Sequence, residues 1–218
     1  MTENMNTPEV STCVEDASTR SFIPNPTDSQ KVIPANGTDR PYSWFPMYVR
    51  YPKELEVKAV MDTNDFRTFI PMETYHVKRG ASVRAEERPA IHNLLFVYSF
   101  RERITWMKMY NRECQTLQYM SRHHLDGSSE VITVSELAMD NLIRASRVDD
   151  PHGQRSYSDR PLSITDLDRR IKFTSGPFLG IEGIIKRIDG NRAMVIPVAE
   201  GISMKITITH ASDFEFIP

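Results

Sequence analysis

The sequence predicts an α+β domain of the ferredoxin-like kind, with an antiparallel sheet and helices on one face, followed by a small all-β domain. In residues 43–146, strand-like and helix-like apolar patterns follow one another as β-α-β-β-α-β, and then come a short strand and a helix. Residues 167–218 hold five short alternating segments and no helical pattern. So few strands favour a closed barrel, because closure removes exposed sheet edges.

The first domain begins with the aromatic and β-branched segment Ser43–Arg50, which predicts a strand. Pro46 within it indicates an edge position or a bulge, because proline has no N–H to donate. Pro52 is suited to the first turn of a helix, and apolar residues at helical spacing follow it over 53–62. Further strands are predicted at 67–72, 91–100, 116–122 and 131–134, a polar hairpin tip at 78–87, and further helices at 101–113 and 136–145.

A linker over residues 147–166 is predicted next, because this stretch is charged and polar and contains Pro and Gly. In the second domain, Asp189–Asn191 is typical of a tight hairpin, and apolar residues alternate strictly over Ile202–Ile208. The five strands of this domain are expected at 171–174, 183–188, 192–198, 202–208 and 214–216.

The N-terminal residues 1–42 are predicted to form a disordered tail. The first 40 contain ten Ser/Thr and four Pro, with six acidic against three basic residues and no periodic apolar pattern. Such a composition buries too little apolar surface to offset the loss of chain entropy on folding.

The composition of the 218-residue chain limits the function classes. It has 27 basic and 29 acidic residues and a formal net charge of -2, so any surface that binds nucleic acid must be local. No apolar run approaches the ~20 residues of a membrane span, and no signal peptide is evident, which predicts a cytoplasmic protein without membrane contact. Cys13 and Cys114 are far apart and predict neither a disulfide framework nor a zinc site.

An enzyme is not predicted. The six histidines do not cluster at metal-ligand spacing, and the chain has neither a Gly-rich phosphate loop nor a nucleophile elbow. No catalytic residue, metal or cofactor is therefore expected.

The segment Ile171–Pro197 resembles a KOW motif. It has the strand Ile171–Phe173, a Gly-Pro-Phe loop and Gly183 at the positions that the motif requires. The resemblance implies an SH3-like barrel that binds a protein or an RNA. The loop residues expected to contact that partner are Gly176, Pro177 and Phe178. The alternative is that the glycines only serve turns and that Phe178 folds back onto the barrel.

Residues 43–146 resemble the N-terminal (NGN) domain of NusG-family transcription factors. The matching segments are Ser43–Phe45, Phe69–Pro71 and Asn93–Val97. The sequences of these segments and of the run Val131–Ile143 resemble the specialised paralogues of the UpxY, RfaH and LoaP type more than housekeeping NusG. The lack of a large insertion points to the same paralogues. This resemblance implies an antiterminator, or elongation factor, of long bacterial operons such as those for capsular polysaccharide.

The family resemblance implies that the NGN domain binds the clamp helices of RNA polymerase through an apolar depression. By position, the polymerase-binding residues would be Phe45, Tyr48, Ile91 and Phe96. The alternative for each is an ordinary place in the core of the sheet.

Specialised relatives also contact the non-template DNA strand. The candidates for this contact are the basic residues Arg50, Lys53, Arg101 and Arg103. The alternative for each is a solvated basic side chain that does not contact DNA. Leu94 stands where RfaH-like sequences have a tyrosine, so any reading of DNA occurs without that aromatic ring.

The second domain is expected to bind Rho or a small-subunit ribosomal protein, and the chain is expected to be a monomer. A rival interpretation is a ribosome- or RNA-associated KOW protein, which would need a basic barrel. Residues 169–218 hold seven basic and five acidic residues, and this surplus of two favours RNA only weakly.

Overall fold

The computed structural model describes residues 41–80, 82–150, 153–159, 169–188, 190–209 and 213–218. The predicted tail therefore lies outside the described residues except for its last two positions. None of the helices in the described part of the chain combines the length and the apolar character that a membrane span needs.

Within residues 41–80 and 82–150, the structure describes three helices and eight short strands. The helices are α1 (Glu54–Thr63), α2 (Arg101–Tyr110) and α3 (Glu136–Arg147), with a 3-10 turn at Glu113–Thr116. The strands are β1 (Ser43–Tyr48), β2 (Arg67–Phe69), β3 (Met72–Arg79), β4 (Ser82–Pro89), β5 (Leu94–Ser99), β6 (Gln118–Tyr119), β7 (Ser121–His123) and β8 (Ser129–Val131).

A four-stranded antiparallel sheet with the order β2-β5-β1-β6 forms the centre of this part. The strand β1 is central, whereas Pro46 had indicated an edge or a bulge. The Pro46 carbonyl oxygen accepts a hydrogen bond from the N–H of Met120, so the proline nitrogen also faces the β6 side. Because β6 pairs only with Met47 and Tyr48, the missing N–H of Pro46 falls just beyond that short ladder.

Both faces of this sheet are buried. On one face, Leu95 and Val97 belong to a core cluster that includes side chains of α1 and α2. On the other face, Leu94 and Phe96 belong to a second cluster with side chains of α3. The prediction that the helices share one face is therefore wrong for α3. The unbroken apolar run of β5 explains the difference, because successive side chains of a strand point to opposite faces.

The strands β3 and β4 form a two-stranded ribbon and, in the described residues, pair only with each other. Their register runs from Met72 opposite Pro89 to Arg79 opposite Ser82. The chain reverses through Gly80, whose φ of 64° is readily adopted by glycine. This turn lies within the predicted hairpin tip at 78–87. A second small ribbon is formed by β7 and β8.

The described residues of the C-terminal part form a six-stranded antiparallel sheet, called the C-terminal sheet below. Its strands are β9 (Arg155–Ser158), β10 (Arg170–Phe173), β11 (Glu182–Ile188), β12 (Asn191–Ala199), β13 (Ile202–Thr207) and β14 (Phe214–Phe216). Their order is β14-β10-β11-β12-β13-β9. The strands β10 to β14 match the five predicted strands. In the described pairing β14 and β9 are the two end strands, and a closed barrel stays a prediction.

The strand β9 lies inside the predicted linker 147–166 and pairs with β13, with Tyr157 opposite Met204. Arg155, which begins this strand, donates hydrogen bonds from Nη1 to the carbonyl oxygens of Ala145 at 2.7 Å and Val148 at 2.8 Å. These carbonyls lie at the C-terminal end of α3, where the helix offers no i+4 N–H groups to them. This part of the chain therefore has a defined structure despite its polar composition.

The helix α3 lies between the two sheets, since it contacts both β1 and β12. Its N-cap is Ser135, whose side-chain oxygen accepts a hydrogen bond from the N–H of Ala138. Asn141, which is buried, accepts from the N–H of Glu182 at 3.3 Å. One continuous cluster of buried side chains therefore joins the sheet face, α3 and the interior of the C-terminal sheet.

The structure predicts that Gly183→Ala destabilises the C-terminal sheet. A Cβ at this position would lie 2.6 Å from the Val195 carbonyl oxygen and 2.7 Å from Cγ of Met194, so the strands must move apart. We expect the free energy of unfolding in urea to fall by about 1–3 kcal/mol, the usual cost of overpacking. Arg187→Ala, at an exposed position of the same strand, is the control. Equal stability of the two variants would contradict the close packing of β11 on β12.

Candidate functional site

Three of the four side chains expected to bind polymerase share one face of the central sheet. Tyr48 pairs with Leu94, two residues from Phe96 on the same face of the sheet. Ile91 joins the same buried cluster as Phe96. Phe45 belongs to the cluster on the opposite face, and its ring lies 5.8 Å from that of Tyr119. The predicted set is therefore not one continuous surface.

The exposure of these three side chains differs sharply. Tyr48 is 50% exposed, whereas Ile91 is 8% and Phe96 is 0% exposed. The Phe96 ring is 6.4 Å from that of Phe69, and both rings belong to the cluster that also contains α3 and the C-terminal sheet. In this arrangement a partner can reach Tyr48 but cannot reach Phe96.

The four predicted DNA-binding residues lie at the two ends of the central sheet. Arg50 and Lys53 follow the end of β1 and are exposed. Arg101 and Arg103 begin α2, directly after β5, whose Ser99 pairs with the first residue of β1. The structure therefore does not bring the four residues together.

The two arginines of α2 are already engaged within the protein. The Arg103 guanidinium lies 4.2 Å from the centre of the Phe66 ring and donates to the Asn64 carbonyl oxygen at 2.9 Å. The Arg101 guanidinium lies 5.7 Å from the centre of the Tyr119 ring. These contacts connect α2 to neighbouring elements and favour a structural role, for Arg103 above all.

The loop expected to bind a second partner presents different residues from those that the motif suggests. Phe178 is only 3% exposed, and its ring centre lies 6.0 Å from that of Phe173. This is the alternative arrangement, in which Phe178 folds back onto the C-terminal sheet. Gly176, with a φ of 77°, and Pro177 are exposed. The loop also contacts α3, because Nη2 of Arg144 donates to the carbonyl oxygen of the next residue, Leu179, at 3.2 Å.

Sequence reasoning missed a group of exposed rings where β1 ends and the β3–β4 ribbon begins. Tyr51 packs edge-on against His92 at 5.2 Å between ring centres. The Arg88 guanidinium lies 5.8 Å from the centre of the Tyr75 ring. The sequence offered one signal, since Tyr51 stands between a predicted strand and Pro52 and so falls in an exposed turn.

Cys114 is buried, and burial raises the pKa of its thiol to about 11. The thiol is therefore protonated and unreactive near neutral pH. No group of three or more His, Cys, Asp or Glu side chains in the described part of the chain is arranged to hold a metal ion.

Residues 42–143 match the family model NusG, described as transcription termination factor nusG. The match spans the four-stranded sheet, α1, α2 and most of α3, and it ends before the C-terminal sheet. No curated protein matches the chain.

The contacts of Arg103 predict that Arg103→Ala destabilises the fold, whereas Arg50→Ala does not. The first change removes a hydrogen bond and a cation–π contact, and we expect the free energy of unfolding to fall by roughly 1–2 kcal/mol. The second change removes an exposed side chain and should alter the free energy of unfolding by less than about 0.5 kcal/mol. Urea unfolding measures both variants, and an equal effect of the two would contradict the structural role of Arg103.

Proposed function

We propose that this chain, whose residues 42–143 match the NusG family, is a NusG-type transcription elongation or termination factor. The family match supports membership of that family, and it is the observation that carries the proposal. The matched residues 42–143 contain the central sheet, α1, α2 and most of α3. The proposal assigns no catalytic residue to the chain.

The polymerase-binding surface in this proposal begins at Tyr48. This ring is half exposed at the edge of the apolar face that also carries Ile91 and Phe96. Tyrosine is among the residues that most often contribute binding energy at protein interfaces, because its ring is large, rigid and amphipathic. Phe45 is omitted from the proposed surface, since it lies on the face covered by α1 and α2.

Contact of polymerase with Ile91 and Phe96 requires the C-terminal sheet and α3 to move from the sheet face. Two polar contacts among the described side chains oppose this movement: the Tyr98 hydroxyl of β5 donates to Glu136 of α3 at 2.7 Å, and Arg122 forms an ion pair of 2.7 Å with Glu200. Both partners of that ion pair are about half exposed, so it adds little stability. The two parts are held together mainly by apolar contacts.

The finer parts of the proposal follow the family resemblance. We propose a specialised paralogue that acts in the bacterial cytoplasm and suppresses pausing or termination in particular long operons. The segment Asn93–Val97 and the lack of a large insertion support this assignment. Arg50 and Lys53 would contact the non-template strand, and both are exposed.

The C-terminal sheet is proposed to recruit a second partner, either Rho or a small-subunit ribosomal protein. The exposed side of its loop offers Pro177 and Leu179, and the Leu179 side chain is well exposed. Phe178 is not proposed as a contact, because it is buried in the core.

The proposal predicts that Tyr48→Ala reduces the retention of core RNA polymerase by the immobilised full-length chain. We expect a loss of about fivefold or more, since truncation of an aromatic residue that anchors an interface typically costs more than 1 kcal/mol. Tyr110→Ala is the matched control, because Tyr110 is an exposed tyrosine of α2, and α2 covers the opposite face of the central sheet.

Two results of this pull-down would contradict the proposal. One is an equal loss for the Tyr48 and Tyr110 variants. The other is that the unmodified chain retains no polymerase and enriches ribosomes or RNA, which would favour the RNA-associated KOW protein.

A further inference from the structure

We propose that Glu54 is a positioning residue for the polymerase-binding surface, because its buried carboxylate fixes the backbone of Asn93. The two residues are called the Glu54–Asn93 latch below. The inference deepens the proposed function and rests on it. Polymerase does not touch Glu54 in this proposal, but docks on side chains whose places the latch determines. These side chains are Tyr48 at the end of β1 and Ile91 in the loop between β4 and β5.

The burial of Glu54 is the opposite of what residue polarity predicts for the first turn of α1. Glu54 is 2% exposed and is the one charged side chain that is buried among the described residues. The next residue, Leu55, is 50% exposed, so an apolar side chain faces water while a carboxylate is buried. A buried carboxylate is costly unless it is hydrogen-bonded. Such a local conflict between sequence and environment indicates that the carboxylate has a specific task.

The task that the structure shows is a hydrogen bond to a distant part of the chain. Oε1 of Glu54 accepts from the backbone N–H of Asn93 at 2.8 Å, and the two residues are 39 positions apart. The carbonyl oxygen of Asn93 accepts in turn from the N–H of Val49 at 2.9 Å. The backbone of Asn93 is therefore held on both sides of its Cα, by the start of α1 and by the residue that follows β1.

The latch holds Asn93 in a conformation that side chains disfavour. Its φ is 63°, in the left-handed region, and Asp65 is the one other non-glycine residue with a positive φ among the described residues. Asparagine adopts this region more readily than most residues, but less readily than glycine. Hydrogen bonds to a carboxylate are stronger than those between neutral groups. The Glu54 bond therefore stabilises a turn that the loop would otherwise leave more easily.

This turn sets the positions of the side chains proposed to meet polymerase. Ile91 lies two residues before Asn93, and Leu94, directly after it, pairs with Tyr48. At the other end of the loop, the N–H of Ala90 donates at 2.8 Å to the carbonyl oxygen of the residue that precedes β3. Because the loop is short and fixed at both ends, a change at Asn93 shifts Ile91 and the start of β5 together. The latch therefore determines the shape of the surface without being part of it.

The test compares Asn93→Gly with Asn93→Ala in the retention of core RNA polymerase by the full-length chain, without nucleic acid. Both changes remove the same amide side chain, but only glycine adopts the left-handed region without strain. Asn93→Gly should keep retention within about twofold of the unmodified chain, whereas Asn93→Ala should lower it by about fivefold or more. This pair of variants keeps the test decisive even if Glu54→Ala does not fold.

The Glu54 variants test the other half of the latch. Glu54→Gln keeps an oxygen that can accept from Asn93 and should retain most of the polymerase, whereas Glu54→Ala should lose about fivefold or more. Combined with Asn93→Gly, Glu54→Ala should cost less than about twofold, because glycine does not depend on the bond to hold its φ. Arg103→Ala is the control for stability alone, since its contacts lie between α2 and the end of α1.

Three results would overturn the latch. They are equal retention by the two Asn93 variants, an equal cost of Glu54→Ala with and without Asn93→Gly, and a loss for Arg103→Ala as large as that for Glu54→Ala.

An NMR measurement without polymerase separates a failure of the latch from a failure of the proposed function. The coupling between the amide proton and the Hα proton of Asn93 reports φ, and it should change in Glu54→Ala but not in Glu54→Gln. An unchanged coupling in Glu54→Ala overturns the latch. If the coupling changes while the unmodified chain retains no polymerase, the latch exists, and the polymerase-binding function together with the positioning role that rests on it is wrong.

Discussion

The burial of both faces of the central sheet is the constraint on which the rest of the structure depends. The strand β5 is apolar at four successive positions, Leu94–Val97, and each of them is buried. The helices α1 and α2 cover one face. The other face must also be removed from water, and α3 lies over it while contacting the C-terminal sheet on its far side. The position of the C-terminal sheet thus follows from the hydrophobicity of a single strand.

The same burial limits how the protein meets its partners. The apolar side chains best suited to bind a protein, Ile91 and Phe96, also hold the two sheets together. What stays accessible is the rim at which β1 ends, where Tyr48, Tyr51 and Arg50 are exposed next to the β3–β4 ribbon. A partner that binds first at this rim can then compete for the apolar face behind it.

Periodicity and turn residues were enough to predict most of the elements, because their signals are local. The strands β10 to β14, the three helices and the turn at Gly80 follow from such signals. Tertiary contacts decided the rest. The strand β9 forms in a polar stretch because β13 offers a pairing edge and Arg155 binds the end of α3. Likewise, the Gly-Pro-Phe loop could be located in the sequence, but the burial of Phe178 depends on Phe173 and on a core that no local pattern shows.

The most direct test of the account places a photo-crosslinking amino acid at position 48 of the full-length chain and irradiates it with purified core RNA polymerase. The account predicts a crosslink to the large subunit that carries the clamp helices, and none from the same amino acid at position 110. Tyr48 and Tyr110 are both exposed tyrosines, so the comparison isolates their location. Equal crosslinking from both positions, or crosslinking in extracts to ribosomal proteins in place of polymerase, would contradict it.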